Sequence, residues 1–228
     1  MKPVRLPWRM GFLHYLAKFC LALLTSMTVW GAENIPASGA TLMVINHLHW
    51  LDPIIGVAVI RRPAVMLTAE KWERAFFIGH VMRWSQRAIF VQRGEPDRRA
   101  LKRALEVLQR DEMLGISPEG TRSRTGGLQQ AHDGPAYLVT RSGATVVPVV
   151  VYGQEKAEQH WRRLRRPRVM VVIGEPFRFP DLPAHVRSRE LRPYSDEIMR
   201  HLAQLLREGY RGVYPLQSPA APSTASEA

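Results

Sequence analysis

Short apolar runs alternate along the chain with longer mixed segments whose apolar residues recur at helical spacing. Thr41–Ile45, Ala64–Ala69, Ala88–Val91, Met113–Ile116, Thr145–Tyr152 and residues 169–173 read as short buried strands. Between them, residues 53–60, 71–83, 97–109, 131–141 and 195–208 read as helices. The first is expected to start with Asp52 at its N-cap and Pro53 in its first turn, and Arg61-Arg62-Pro63 to end it. Pro148 lies inside the longest strand, which predicts an edge strand or a bulge there. Strands alternating with helices indicate an α/β domain.

The two ends depart from this rhythm. Residues 11–32 are mostly apolar and follow a basic, aromatic start with Lys2, Arg5, Trp8 and Arg9. No small-x-small cleavage site follows, and His14 and Lys18 interrupt the apolar stretch, so it does not match a secretory signal. The uninterrupted run over 19–30 is shorter than the roughly 20 residues of a membrane span, and it contains Thr25, Ser26 and Thr28. Residues 8–30 are therefore expected to form one helix lying in, or dipping into, a single leaflet, with its basic and aromatic flanks at the headgroup level. The alternative is an ordinary helix docked on the core. Residues 32–39 form a turn-rich linker, and the tail is rich in Ala, Pro and Ser. The division expected is a membrane-associating helix over 1–32, a domain over 33–212 and a disordered tail over 213–228.

A length of 228 residues suits one such domain with small appendages. Lys and Arg number 32 against 20 for Asp and Glu, a formal charge of +12, which calls for an anionic partner. Candidates are nucleic acid, anionic lipid headgroups or a phosphorylated substrate. No helix-turn-helix, zinc or RNA-binding motif accompanies the charge, which argues against nucleic acid. The run Arg162-Arg163-Leu164-Arg165-Arg166-Pro167-Arg168 is read as a solvated face. The single cysteine, Cys20, forms no internal disulfide and reads as a packing residue in a chain suited to a reducing compartment.

Two stretches carry chemistry. Asn46-His47-Leu48-His49-Trp50-Leu51-Asp52 sits at a turn between a strand and a helix. Asp52 can accept a hydrogen bond from one nitrogen of His47 and fix its tautomer, leaving the other nitrogen as a base. With no Ser or Cys nucleophile nearby, that base would act on a substrate hydroxyl. The alternatives are a structural hydrogen bond and a metal site using His47, His49 and Asp52. The remaining histidines lack ligand spacing, which disfavours metal. The second stretch, Ser117-Pro118-Glu119-Gly120-Thr121-Arg122-Ser123, is a loop after a strand. Gly120 would let the backbone approach an anion, and Arg122 and Arg93 are planar phosphate donors. Glu119 would orient an arginine or accept from a substrate hydroxyl. Taken alone, this loop also fits a plain turn.

Four stretches together resemble the glycerophospholipid acyltransferase family, of the 1-acylglycerol-3-phosphate acyltransferase type. They are Asn46-His47 with Asp52-Pro53, Ile89-Phe90-Val91-Gln92-Arg93, Pro118-Glu119-Gly120-Thr121-Arg122-Ser123 and Val147-Pro148-Val149. Their order and spacing agree with the family, Gly174-Glu175-Pro176 fits its usual ending, and the likeness covers about residues 30–208. His49 stands where the family usually has Ser, which bears on the acceptor, and Ser117 where it usually has Phe, which bears on packing.

The resemblance implies a single α/β acyltransferase domain, a mixed sheet flanked by helices. It implies His47 as general base, oriented by Asp52, acting on the free hydroxyl of a lysophospholipid. That oxygen would attack the thioester of acyl-CoA or acyl-carrier protein, giving phosphatidic acid, with no cofactor, metal or enzyme nucleophile. Arg93, Glu119, Gly120, Thr121 and Arg122 would form the acceptor-phosphate site, and the protein would sit on the cytoplasmic face of an anionic membrane. Competing expectations are the same chemistry on glycerol 3-phosphate, a lyso-ornithine lipid or another lyso-lipid, a metallohydrolase, and a non-enzymatic basic protein binding membrane or nucleic acid.

Overall fold

A computed structural model describes residues 6–73, 88–91, 97–180, 182–183 and 186–216. The expected strands are present as β2 (Thr41–Ile45), β3 (Ala64–Ala69), β4 (Ala88–Val91), β5 (Met113–Ile116), β6 (Thr145–Tyr152) and β7 (Arg168–Ile173). A further strand, β1 (Ser26–Trp30), follows the N-terminal helix α1 (Trp8–Leu24). The sheet order is β1-β7-β6-β2-β5-β3-β4. β6, β2, β5, β3 and β4 are mutually parallel, and β7 with its parallel partner β1 runs against them, so the sheet is mixed.

The helices form two layers. On one face, α3 (Arg98–Gln109), α4 (Gly134–Ser142) and α6 (Arg192–Leu205) cover Leu42 and Val44 of β2. On the other, α1 and α2 (Asp52–Val59) cover Met43 and Ile45. Alternate residues of β2 thus serve both cores, which is why its sequence is an unbroken apolar run. Leu42, Leu114, Leu138 and Ile198 are fully buried, and truncating any of them to Ala should cost roughly 2–5 kcal/mol. Asp97 caps α3 through the Ala100 N–H at 2.9 Å. α4 begins at Gly134, later than expected, with Pro135 in its first turn, and α6 runs three residues ahead of the expected 195–208 at each end. The expected helix over 71–83 lies outside the described residues from 74 onward, and Glu70–Trp72 is a single 3-10 turn.

The N-terminal expectation of one helix over 8–30 is corrected. α1 stops at Leu24, Thr25 takes extended angles, and Ser26–Trp30 pairs with β7. The Thr25 hydroxyl returns to the Leu21 carbonyl at 2.7 Å, and β-branched Thr28 and Val29 suit a strand better than a helix. Because β1 is part of the sheet and α1 packs on α2, the boundary expected at residue 32 does not divide the structure.

β6 is an interior strand rather than an edge, and its proline is met by a bulge. Val149 faces Ile173 and Val146 faces Phe177, so three steps along β6 oppose four on the partner. The Pro148 carbonyl accepts from Gly174 N–H at 2.9 Å just past the end of β7. The missing N–H therefore points at the bulged segment, where no ladder bond is needed.

Candidate active site

The loops after β2, β5 and β6 all leave the same edge of the sheet, the carboxyl ends of parallel strands, where open α/β sheets hold their ligands. Asn46 ends β2 by extending its ladder through the side chain: Nδ2 donates to the Val151 carbonyl at 2.9 Å and Oδ1 accepts from Val151 N–H at 2.8 Å. That fixes where the next residue, His47, leaves the sheet.

Asp52 is the centre of the turn that follows. Its Oδ2 accepts from His47 Nδ1 at 2.7 Å and from the Leu48 and His49 N–H groups, each at 2.8 Å. Its Oδ1 accepts from Gln154 Nε2 at 2.7 Å. Asp52 is thus the first residue of α2 rather than its N-cap, with the carboxylate turned back over residues 47–49 instead of forward onto the helix N–H groups. The bond from Nδ1 to a carboxylate makes Nδ1 the protonated nitrogen of a neutral imidazole and leaves Nε2 as its acceptor. The carboxylate is 5% exposed and the imidazole 21%, so the orienting group is buried and the base reaches the surface. On the core side of Asp52 a cavity of about 10 Å³ is lined by apolar side chains including Met43, Ile55 and Val149, too small and too apolar to hold a bridging water.

Glu119 stitches the second stretch to the first. Oε1 accepts from the His47 N–H at 3.2 Å and Oε2 from the Gln129 N–H at 3.0 Å. Ser123 N–H adds a bond to the His47 carbonyl at 2.8 Å. Glu119 is only 2% exposed, and burial pushes its carboxyl up to about 7 against the pull of the two backbone donors. The role expected for it, facing a substrate hydroxyl or an arginine, is not the one its geometry serves, because both oxygens hold backbone. Gly120 has φ +64, a left-handed conformation that favours glycine whatever binds nearby, and a Cβ there would meet only the exposed His132 ring, at 2.8 Å. Thr121 and Arg122 are exposed beside it, at the mouth of the same loop. Arg93 lies outside the described residues.

His49 has both nitrogens engaged: Nδ1 accepts from Leu51 N–H at 3.3 Å and Nε2 donates to Glu158 at 3.0 Å. Glu158, on α5 (Ala157–Arg162), also accepts from the Trp50 indole at 2.9 Å. That indole bond, with the His49 contact added, holds the Glu158 carboxyl below its usual range. His49 therefore ties the turn to α5. Among the described residues, no group of three or more His, Cys, Asp or Glu side chains is arranged to hold a metal ion.

Gln154 and Glu158 carry these contacts and were not among the residues singled out in the sequence. Gln154 is fully buried, and its Oε1 has no hydrogen-bond partner among the described residues. Nothing local marks it, since its partner lies at the far end of another loop.

A family model described as acyltransferase matches residues 26–152. A 1-acyl-sn-glycerol-3-phosphate acyltransferase of Borreliella burgdorferi is 30% identical over 126 residues, 54% of this chain and 50% of its own length. One from Bacillus subtilis is 25% identical over 174 residues, 76% of this chain and 84% of its own. The crystal structure of the 1-acyl-sn-glycerophosphate acyltransferase PlsC from Thermotoga maritima superposes with a TM-score of 0.66 at 23% identity, over 86% of this chain and 79% of that one. At that identity the superposition speaks for the fold.

Proposed function

The chain belongs to the acyltransferase family, and we propose that it moves a fatty acyl group from a thioester to the free hydroxyl of 1-acylglycerol 3-phosphate, giving phosphatidic acid. One observation carries the reading: His47 Nδ1 is held at 2.7 Å by a buried carboxylate, while Nε2 is left as an acceptor at the surface. The names of the two relatives supply the acceptor.

In this reading His47 Nε2 takes the proton of the acceptor hydroxyl as its oxygen attacks the thioester carbonyl carbon. A tetrahedral oxyanion forms and collapses, the C–S bond breaks, and the proton on Nε2 passes to the leaving thiolate. The ester and a free thiol are the products, with no covalent enzyme intermediate. Asp52 stays ionised and stabilises the imidazolium that forms in between. The donor is acyl-CoA or acyl-carrier protein, used as a co-substrate, and no other cofactor is required. Arg122 and Arg93, with the exposed backbone at Gly120 and Thr121, are the candidates for binding the acceptor phosphate.

The reading includes an interfacial seat for α1 on the cytoplasmic face of the membrane. Trp8, Phe12, Tyr15, Leu16, Phe19 and Leu23 are all exposed and follow one another at helical spacing opposite the buried His14, Ala17 and Leu21. A helix apolar on its outer side suits a leaflet surface. Among the described residues no helix is long and apolar enough to cross a membrane.

The test is transfer of labelled acyl groups from acyl-CoA to lysophosphatidic acid in detergent micelles, for wild type and His47→Ala. Wild type should be active, and the variant slower by roughly 10²–10⁴-fold with its fold retained. Near-normal turnover in the pure variant would overturn the mechanism. Wild-type activity seen only with glycerol 3-phosphate or a lyso-ornithine lipid would move the acceptor and keep the chemistry.

A further inference from the structure

We propose that a basic pocket at the C-terminal end of α1, with the arginine turn beside it, binds the phosphate headgroups of anionic phospholipids and so fixes how the protein sits on the bilayer. The proposal rests on the interfacial reading of α1 given above and assigns a ligand to a run that the sequence alone presents as a solvated face.

The pocket is open and holds about 270 Å³, lined by Lys18, Ala22, Thr25, Ser26, Met27 and Arg166. Nε and Nη2 of Arg166 both donate to the Thr25 carbonyl, which fixes the guanidinium plane and leaves Nη1 as its unengaged edge among the described residues. Lys18 and Ala22 are four residues apart on α1, so they form a row alongside Tyr15 and Phe19 at the margin of the exposed apolar stripe. The two cations therefore converge where the apolar surface ends, the level at which phosphates lie when such a helix is seated in a leaflet.

The turn after α5 extends the same surface. Trp161 Nε1 donates to the Leu24 carbonyl at 2.8 Å and Ser26 N–H to the Pro167 carbonyl at 2.8 Å, so the turn is fastened to the end of α1. Leu164 takes φ +52 and is 97% exposed, with Arg162, Arg163 and Arg165 exposed around it. A left-handed leucine in open solvent is an uncommon arrangement for a bulky side chain. None of these arginines, nor Lys18, makes an ion pair among the described residues, and the first 32 residues contain no carboxylate side chain. Cations mixed with exposed apolar side chains match a headgroup layer over acyl chains better than they match a purely acidic surface.

The test is flotation with vesicles of phosphatidylcholine alone and of phosphatidylcholine mixed with phosphatidylglycerol. It uses wild type, Lys18→Glu and the pair Arg163→Glu/Arg165→Glu, each checked by thermal melting. Anionic lipid should raise wild-type partition, and added salt should reverse the gain. Each variant should lose at least about fivefold of that gain per cation changed, with partition onto neutral vesicles and melting temperature held. Equal losses on both vesicles, or no loss, would overturn the proposal. So would charge reversal that slowed transfer from acyl-carrier protein while leaving vesicle partition alone, which would assign the surface to an acidic protein. Wild type that binds neutral vesicles without gain from anionic lipid sinks this site alone. Wild type that binds neither sinks the interfacial seat of α1 with it.

Discussion

Between β2 and α2, the side chains of His47 and Gln154 and the N–H groups of Leu48 and His49 all converge on the buried carboxylate of Asp52. Along the outer face of α1, Trp8, Phe12, Tyr15, Phe19 and Leu23 stand in the open. The first region removes polar atoms from water and, Gln154 Oε1 apart, satisfies them. The second leaves apolar atoms in water and satisfies none. Pre-organisation of a base requires the first arrangement, because an imidazole held in one tautomer costs nothing to orient at the moment of reaction. For the exposed apolar stripe, the counterpart proposed above is the bilayer surface. The two regions share a support, since α1 packs on α2 through Ala17, Leu21 and the His14 bond to the Val57 carbonyl at 3.0 Å. The helix that presents Asp52 is thereby carried by the helix proposed to meet the membrane.

The comparison breaks most readily at Asp52. Asp52→Asn should lower kcat by roughly 10²–10⁴-fold, because an amide at that position no longer selects the Nδ1–H tautomer. Vesicle partition should not change, and a variant that lost both would mean the turn and α1 are not separable.

Glu119 sharpens the buried side of the comparison through pH. Its folded value, about 7, lies above its ordinary 4.5, so the native state keeps a proton that the unfolded chain releases. The stability this gives is fully present below about pH 4.5 and is lost as pH rises through about 7, a change on the order of 3 kcal/mol. Denaturant melts between pH 5 and 8 should show that decline in wild type and a flatter line in Glu119→Gln. Parallel lines would mean that Glu119 ionises as freely as an exposed carboxylate.

On the exposed side, Phe19→Glu with Leu23→Glu should reduce partition onto vesicles by about a hundredfold or more, since each side chain is worth roughly 1.5–3 kcal/mol on burial. Unaltered partition would show that the stripe does not meet the lipid. The smallest effect is expected at Gln154. Gln154→Leu removes one donor from a charged acceptor and should cost about tenfold in kcat with KM little changed, while Gln154→Glu should cost more by setting two carboxylates together. A change confined to KM would place Gln154 on the substrate path instead.

Much of the candidate catalytic turn is legible in the sequence because its parts are close together. A strand, a turn and a helix start within a dozen residues of one another, and a histidine and an aspartate five apart meet at that turn. The strands of the parallel core are equally plain, since burial on both faces leaves no alternation to misread. What the chain hides depends on distant partners. β1 is an edge strand whose ladder is supplied by β7, so its residues continue the apolar pattern of α1 until tertiary pairing divides them. Gln154 becomes part of the site only because β6 lies beside β2. Glu119 could be recognised as belonging to the site, but the direction of its carboxylate could not, because the same loop composition serves a ligand facing outward or a backbone facing inward. Pro148 is read half correctly: the bulge is there, and its place in the middle of the sheet is set by connections the local sequence does not contain.

The central claim is that Asp52 acts through His47, and a double-mutant cycle on kcat tests it most directly. Wild type, His47→Ala, Asp52→Asn and the double variant are assayed for acyl transfer to lysophosphatidic acid in micelles, at matched thermal stability. The account predicts that the double variant is no slower than His47→Ala alone, because a carboxylate has nothing to orient once the imidazole is gone. Losses that multiply would contradict it and give Asp52 a function independent of the base.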